Sequence, residues 1–384
     1  MPETPRPTKK RILSGMRPTG RLHLGNYMGA LKNWVALQDQ YECFFFVADI
    51  HALTTDYADP SQILTFTREV VLDWLGAGLD PERSTIFVQS KVKQHLELSG
   101  LLAMITPLSW LERVPTYKDQ IENLKEKDLA TYGFLGYPLL QSADILLYGV
   151  AGGSLHVPVG ADQVAHVEIT REIARRFDFI YENRSGAPEG NYVFVNKSTH
   201  DVGHASALRT VEDAEWAQQQ LTSIAKPGIL SEPQVLLTPT PKLPGTDGRK
   251  MSKSYGNYIL LSDPEPDIRK KLKPMVTDPA RVRRSDPGNP DVCPVGDLHK
   301  VFSSGGTLAR VYDGCTTAAI GCIECKSWLA DAVVAELAPM QERRARYEAQ
   351  PQLVTGILEA GNARAREAAE QTMTGVRRAM GLAE

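Results

Sequence analysis

The sequence predicts an α/β protein in two parts. Residues 1–262 are expected to form a doubly wound parallel sheet with a helical insertion, and residues 263–384 an all-α C-terminal domain. Three observations carry that prediction. Strand and helix patterns alternate over the first 90 residues, as a parallel sheet with crossover helices requires. Glu42 to Ile50 (ECFFFVADI) is a continuous apolar run, the pattern of a strand covered on both faces. Beyond Asp263 the strand-like alternation stops, and long, charged, Ala-rich helical segments take over.

The elements follow in order. Lys10 to Met16 reads as a short strand, and His23 to Gln38 carries helical spacing. After the apolar run, a helix is expected from about Ser61 to Gly76, ended by Gly76-Ala77-Gly78. Ser84 to Gln89 (STIFVQ) is the third strand. Residues 94 to 149 read as largely helical with a charged middle, Lys118 to Lys127. Residues 160 to 179 form an amphipathic helix, with Ile169, Ile173 and Phe177 four apart on one face. Asn183 to Gly248 reads as loops around short elements. Lys326 to Ala349 and Gln352 to Leu382 are the long terminal helices. There is no internal repeat and no low-complexity segment.

Composition sets outer limits. The 384 residues carry 43 Lys+Arg against 46 Asp+Glu, a net charge of −3, which argues against a wholly basic nucleic-acid binder but not against a local patch. No stretch approaches the ~20 apolar residues that span a bilayer. The polar start, Met1 to Arg11, is too weakly apolar beyond it to read as a signal peptide. Five cysteines do not make a disulfide framework, so a reducing, cytoplasmic setting is expected.

Two segments carry phosphate chemistry. Arg17-Pro-Thr-Gly-Arg-Leu-His-Leu-Gly-Asn26 lies between the first strand and the first helix, where backbone N–H groups and a helix N-terminus can face an anion. His23 and Asn26 sit one turn apart and can both donate to a phosphate, while Gly25 leaves room for a base or ribose. About 225 residues later, Lys250-Met-Ser-Lys-Ser254 follows the Gly-rich Gly245-Thr-Asp-Gly-Arg249. Lys250 and Lys253, with Met251, Ser252 and Ser254 around them, read as an adjustable cationic clamp for a triphosphate.

Together these segments resemble the paired motifs of class I aminoacyl-tRNA synthetases. The first motif usually ends in His; here it ends in Asn26, a change common in the tryptophan branch. Ser14 to Gly20, Gly25 to Leu31, Tyr137 to Tyr148, Val157 to Gln163 and His166 to Ala174 look like bacterial tryptophanyl-tRNA synthetases, over roughly residues 11 to 262. The resemblance implies a Rossmann-type fold and ATP-dependent activation of L-tryptophan with Mg2+. It also implies transfer to the tRNA(Trp) ribose through its 2′-hydroxyl, and a homodimer with residues 94–149 as the contact region.

The resemblance assigns ATP contacts to Arg17, Pro18, Thr19, Gly25, Asn26, Gly160, Ala161, Asp162 and the Lys250–Ser254 segment. It assigns the indole N–H to Asp144, with Tyr137 and Gln163 near the substrate ammonium group. Chemistry supports Asp144: a carboxylate in an apolar helical run needs a donor, and an indole N–H only donates. The alternative for Asp144 is a salt bridge to Arg or Lys. Thr116 stands where some relatives carry an amide, and Lys118 reads as solvated.

Cys293, Cys315, Cys322 and Cys325 fall within 33 residues, with 21, 6 and 2 residues between them, while Cys43 stands alone in the apolar run. Four thiolates at such spacings can enclose zinc or one 4Fe–4S cluster. The spacing resembles that of tryptophanyl-tRNA synthetases with a C-terminal 4Fe–4S cluster, so the cluster is favoured over Zn2+. Just upstream, residues 269 to 284 hold seven basic residues against Asp278, a local charge of +6 that suits tRNA, with Arg281, Arg283 and Arg284 as the expected contacts. The rival readings are a tyrosyl-tRNA synthetase, a small-metabolite nucleotidyltransferase and an inactive RNA-binding paralogue.

Overall fold

The computed structural model describes residues 10–114, 130–150, 153–160, 163–181, 194–195, 202–203, 228–238 and 243–383. β1 (Arg11–Met16) pairs in parallel with β2 (Glu42–Val47), Arg11 opposite Glu42 and Met16 opposite Val47. On its outer side β2 pairs in parallel with β3 (Ser84–Val88). On the other side of β1 lies β4 (Leu155–Val159). Two short strands, β5 (Phe194–Val195) and β6 (Val202–Gly203), form a separate antiparallel pair. The fifth strand of the main sheet is β7 (Gln234–Leu237), parallel to β4.

The order β3-β2-β1-β4-β7 fixes where a ligand can go. The chain runs outward from β1 to β3, then returns to β4 on the opposite flank of β1. That reversal opens a crevice at the carboxyl ends of β1 and β4, the place where open α/β sheets bind ligands.

Successive side chains of a strand face opposite ways, and here both faces are covered. Cys43, Phe45 and Val47 of β2 enter one core, and Phe44 and Phe46 the other. This is why the whole run is apolar, and Cys43 is buried as expected. The run itself ends earlier than its hydrophobicity indicates. Helix α2 (Asp49–Asp56) begins there, with Gln89 Oε1 accepting from Ile50 N at 3.1 Å and His51 N at 3.3 Å in its first turn, so Ala48 to Ile50 leave the strand.

The first core lies under α1, a continuous rod of Leu24–Asn26, a π-helical Tyr27–Leu31 and Lys32–Leu37, and under α3 (Ile63–Ala77); α2 is Asp49–Asp56. Trp34 stacks on Phe45 at 4.7 Å and meets Trp74 edge-on at 5.4 Å. α3 stops at Gly78, whose φ of +110° lets its N–H turn back to Trp74 and Leu75 carbonyls. The second core receives α4 (Gln94–Ala103) and, after the short α5 (Leu108–Glu112) and α6 (Tyr132–Leu135), α7 (Tyr137–Leu146) and α8 (Val164–Tyr181). Ile173 and Phe177 of α8 are fully buried there, with Ile169 packed at its margin. The charged stretch 118–127 and most of 183–227 lie outside the described residues.

Beyond residue 263 come α9 (Glu265–Leu272), α10 (Pro294–Phe302), α11 (Gly305–Thr316), α12 (Cys322–Glu348) and α13 (Pro351–Ala379). The long helices are built into the sheet's own cores. Leu329, Val333, Leu337 and Met340 of α12 join the Trp34–Trp74 side. Ala365, Ala369, Met373 and Val376 of α13 join the opposite side.

Candidate active site

Two adjoining cavities, about 460 and 880 Å3, open at the crevice between β1 and β4. Gly15, Met16 and Arg17, at the carboxyl end of β1, line both.

The smaller cavity has mainly apolar walls around one buried carboxylate. Asp144 of α7 is buried, with Gln89 Nε2 donating to its Oδ1 at 2.7 Å. His95 Nδ1 lies 2.6 Å from the same oxygen, and His51 Nε2 lies 2.8 Å from Oδ2. His95 Nε2 in turn lies 2.9 Å from the Tyr148 hydroxyl. Burial pushes the Asp144 carboxyl up, but the two imidazoles outweigh it and hold the group below the usual carboxylate range.

Sequence reasoning expected an acceptor waiting for its donor, or else paired with Arg or Lys. The Arg or Lys alternative is corrected, since two histidines and an amide hold the group within the chain. A carboxylate has about four lone-pair sites, so one further donor can still be accepted from the cavity. Tyr137, Gly160 and Gln163 line the same space, with the Tyr137 hydroxyl 3.0 Å from His166 Nε2. Ala161 and Asp162, like Thr116 and Lys118, lie outside the described residues.

The larger cavity is lined by Pro18, Thr19, His23, Asn26, Ser252, Lys253 and Ser254. The Asn26 side chain reaches back to accept from His23 N at 3.1 Å, fixing the turn that opens α1. Gly25 was expected to make room for a ligand; within the chain its first service is to His23. A Cβ there would stand 2.9 Å from the imidazole ring. Burial first, then Lys253 and Lys250, push the His23 pKa down to about 4, so the ring is neutral at pH 7. Its Nδ1 is buried with no hydrogen-bond partner.

The loop around Lys253 is pinned rather than loose. Buried Asn257 accepts from Ser252 N at 2.8 Å and donates to Asp247 Oδ1 at 2.6 Å and Lys250 O at 3.2 Å. Lys253 Nζ reaches back to Thr19 O at 3.2 Å, over Gly20, whose φ of +117° keeps that turn open. Burial lowers the Lys253 pKa to about 8. Of the expected clamp, Lys253 lines the larger cavity, Lys250 is exposed beside it and close enough to His23 to lower its pKa, and Met251 is buried in the first core. Arg17 spans the two cavities, anchored to Thr55 and to Asp56 at 3.3 Å, with Nε buried and unpartnered.

A family model described as tRNA synthetases class I (W and Y) matches residues 6–194 and 207–338. The chain belongs to this family. The tryptophan–tRNA ligase of Ralstonia nicotianae is 50% identical over 399 residues, covering 97% of this chain and 98% of that protein. That of Thermotoga maritima is 47% identical over 374 residues, with 97% and 99% covered. The crystal structure of tryptophanyl-tRNA synthetase from Campylobacter jejuni, complexed with ADP and tryptophan, superposes with a TM-score of 0.76. It is 29% identical and matched over 97% of this chain and 100% of that one.

Two features of this class I synthetase lie away from the crevice. Cys293 precedes α10, Cys315 lies on α11, and Cys322 and Cys325 occupy the first turn of α12. Burial first, then the charges of Cys293, Cys315 and Cys322, push the Cys325 thiol up to about 12. Among the described residues, no group of three or more His, Cys, Asp or Glu side chains is drawn up to hold a metal ion.

The basic stretch is more committed than its +6 implies. Arg281 is buried, donating to Ile320 O at 2.6 Å, to Arg284 O at 3.0 Å and to Cys315 Sγ at 3.7 Å. Its expected contact with tRNA is therefore corrected: it has no surface to offer. Arg269 pairs with Glu265 and Asp331, and Lys271 with Asp263. Arg283 and Arg284 remain exposed.

His51, Gln89, His95 and Asn257 were missed from sequence. The signal available was position: His51 and Gln89 follow the carboxyl ends of β2 and β3, where a parallel sheet presents its functional groups.

Proposed function

We infer that the protein is a tryptophan–tRNA ligase, which activates L-tryptophan with ATP and charges tRNA(Trp). The carrying observation is the joined pair of cavities, one holding the buried Asp144 acceptor and the other lined by His23, Asn26 and Lys253. An indole fits the first by size and polarity, and Asp144 accepts its N–H. A phenyl ring lacks that donor, which is the strong kind of discrimination.

The tryptophan carboxylate attacks the α-phosphorus of ATP, the bond to the β-phosphate oxygen breaks, and pyrophosphate leaves. The ribose hydroxyl of tRNA then takes the acyl group and AMP departs. Lys253 and Arg17 supply positive charge, and neutral His23 and Asn26 supply hydrogen bonds; Mg2+ carried with ATP screens the phosphate oxygens. Tyr137 and Gln163 border the amino-acid end, and Gly160 the ribose end. Amino-acid-dependent ATP–pyrophosphate exchange, tryptophan against tyrosine, followed by charging of tRNA(Trp), tests the reading. Exchange driven by tyrosine alone, or no charging, overturns it.

The chemistry of the donor set supports a 4Fe–4S cluster: four free thiols at the starts of α10 and α12 and on α11, with the Arg281 guanidinium against Cys315 to offset an anionic cluster. Cys293, Cys315, Cys322 and Cys325 would hold it, and when bound it supplies a structural tie between α10, α11 and α12. Structural Zn2+ is the alternative. Iron, sulfide and zinc analysis of anaerobically purified protein separates the two. Arg283 and Arg284 are the tRNA contacts of this reading. Exposed Leu96, Met104, Leu108 and Tyr132 support a homodimer formed through the 94–149 region, which sedimentation tests. The five free thiols suit a cytoplasmic setting, and no described helix is long and apolar enough to cross a membrane.

A further inference from the structure

The two phosphate-facing segments touch each other directly. Leu24 N donates to Ile259 O at 3.0 Å, and Leu261 N to Leu22 O at 2.9 Å, on either side of an antiparallel bridge between His23 and Leu260. The His23 turn and the segment behind Lys253 are therefore joined as one short two-stranded ribbon. What holds that ribbon in place comes from α12.

Arg344 of α12 is buried, and its Nε donates to Asp73 Oδ1 at 2.9 Å. The other Asp73 oxygen accepts from Leu22 N at 2.8 Å, one residue before His23. Arg344 also pairs with Glu69, whose carboxylate takes Arg21 Nε at 2.8 Å. One turn earlier on the same helix, Gln341 Nε2 donates to Leu261 O and Asp263 O, both at 2.9 Å. Two turns earlier, Glu336 accepts from the Tyr27 hydroxyl at 2.9 Å and from Lys32 Nζ at 3.0 Å on α1.

The helix is seated closely enough to transmit position. A Cβ on Gly76 of α3 would stand 3.0 Å from Met340 O, so α3 and α12 approach as only glycine allows. A buried ion pair of this kind contributes little net stability compared with apolar packing, so its presence calls for a different explanation. Its geometry supplies one, because Asp73 and Glu69 pass the contact on to Leu22 N and Arg21, beside His23, while Gln341 meets the carbonyls behind Lys253.

We propose that Asp73, Arg344 and Gln341 are positioning residues of the activation reaction, holding the His23 turn and the segment behind Lys253 in one fixed relation. None of them reaches the cavities, so none touches substrate. Their effect passes through the placement of His23 and Lys253 against the phosphates, where a displacement of about 1 Å can cost about 100-fold in rate. The inference rests on the ligase reading above.

The test uses the full-length enzyme. Active sites are counted by the burst of tryptophanyl-adenylate, and kcat and KM are measured in ATP–pyrophosphate exchange. Arg344→Met and Gln341→Met are each expected to lower kcat per counted site about 10- to 100-fold, with KM for tryptophan changed less than about twofold. The double variant loses less than the product of the two, because both act on one ribbon. Arg344→Lys, which can still pair with Asp73, recovers part of the rate. A merely structural role would instead lower the melting temperature and the number of counted sites while leaving kcat per site unchanged, and that result overturns the proposal. If Arg344→Met fails to fold, Gln341→Met, which loses only two bonds to carbonyls, decides alone. Wild-type enzyme without tryptophan-dependent exchange would overturn the ligase reading, not this inference.

Discussion

At the scale of single residues, two titratable groups of the larger cavity, His23 and Lys253, are tuned in ways that sequence motifs do not reveal. His23 and Lys253 were found because their neighbours in sequence announce them. Burial sets both charge states first; Lys253 and Lys250 lower the His23 pKa further, and Asp73 opposes the shift at Lys253. With its pKa lowered to about 8, Lys253 loses its proton within the working range of an assay. We expect kcat/KM for ATP, which reports the free enzyme, to fall as pH rises through about 8. Lys253→Arg should flatten that limb, because a guanidinium does not titrate there. Lys253→Ala should cost roughly 100- to 1,000-fold in exchange at any pH, with tryptophan binding little changed.

His23 makes the complementary prediction, on stability. Its pKa is about 4 in the fold and 6.5 in its absence, so between those values the unfolded chain binds the extra proton. The contribution of His23 is therefore whole above pH 6.5 and is lost as pH falls towards 4. His23→Gln should reduce the slope of unfolding free energy against pH in that window; an unchanged slope would count against the buried neutral ring. The partners of Asp144 were beyond sequence reasoning for a physical reason. His51, Gln89 and His95 lie 49 to 93 residues away in the chain, and only the closing of the sheet brings them to one carboxylate.

At the scale of elements, most of the regular structure was legible and its commitments were not. The strands β1 to β3 and the helices α3, α8, α12 and α13 stand close to where periodicity put them, because each is apolar on the faces it buries. Charge was harder to read. Counting basic residues treats all side chains as exposed, whereas the fold sends Arg281 inward and pairs Arg269 and Lys271. The consequence separates residues that look alike in sequence. Arg283→Ala with Arg284→Ala should weaken charging of tRNA, with a shallower salt dependence, and leave tryptophan activation intact. Arg281→Ala should instead lower the melting temperature, since it leaves the buried Ile320 carbonyl, the Arg284 carbonyl and Cys315 without their donor at a cost of about 1–3 kcal/mol. Equal effects of the two changes on charging would refute the distinction.

At the scale of the whole molecule, the C-terminal helices complete the sheet that the first half begins. β3 is one of the two edge strands of the main sheet, and an unprotected edge invites pairing with other chains. α13 closes it. Asn362 Oδ1 accepts from Val88 N at 2.9 Å, and Arg364 Nη2 donates to Ser84 O at 3.3 Å and Pro81 O at 3.0 Å. The helix comes so near that a Cβ on Gly361 would stand 1.8 Å from Ile86 O and 2.7 Å from its carbonyl carbon. Sequence alone gave these residues as an Ala-rich, charged helix, because a helix-to-edge contact leaves no periodic signature. The contact makes one helix carry opposite responses to the same substitution. Gly361→Ala must push α13 off β3, since the obstacle is backbone, and should cost about 3 kcal/mol. Asn362→Ala should cost about 1–3 kcal/mol by leaving the Val88 N–H unpaired. Gly356→Ala, five residues earlier and with nothing within 4 Å of the new methyl group, should stabilise by about 0.5–1 kcal/mol through helix propensity. Denaturant unfolding of the three variants checks the set. A Gly361→Ala protein as stable as the wild type would show that α13 does not seal the edge.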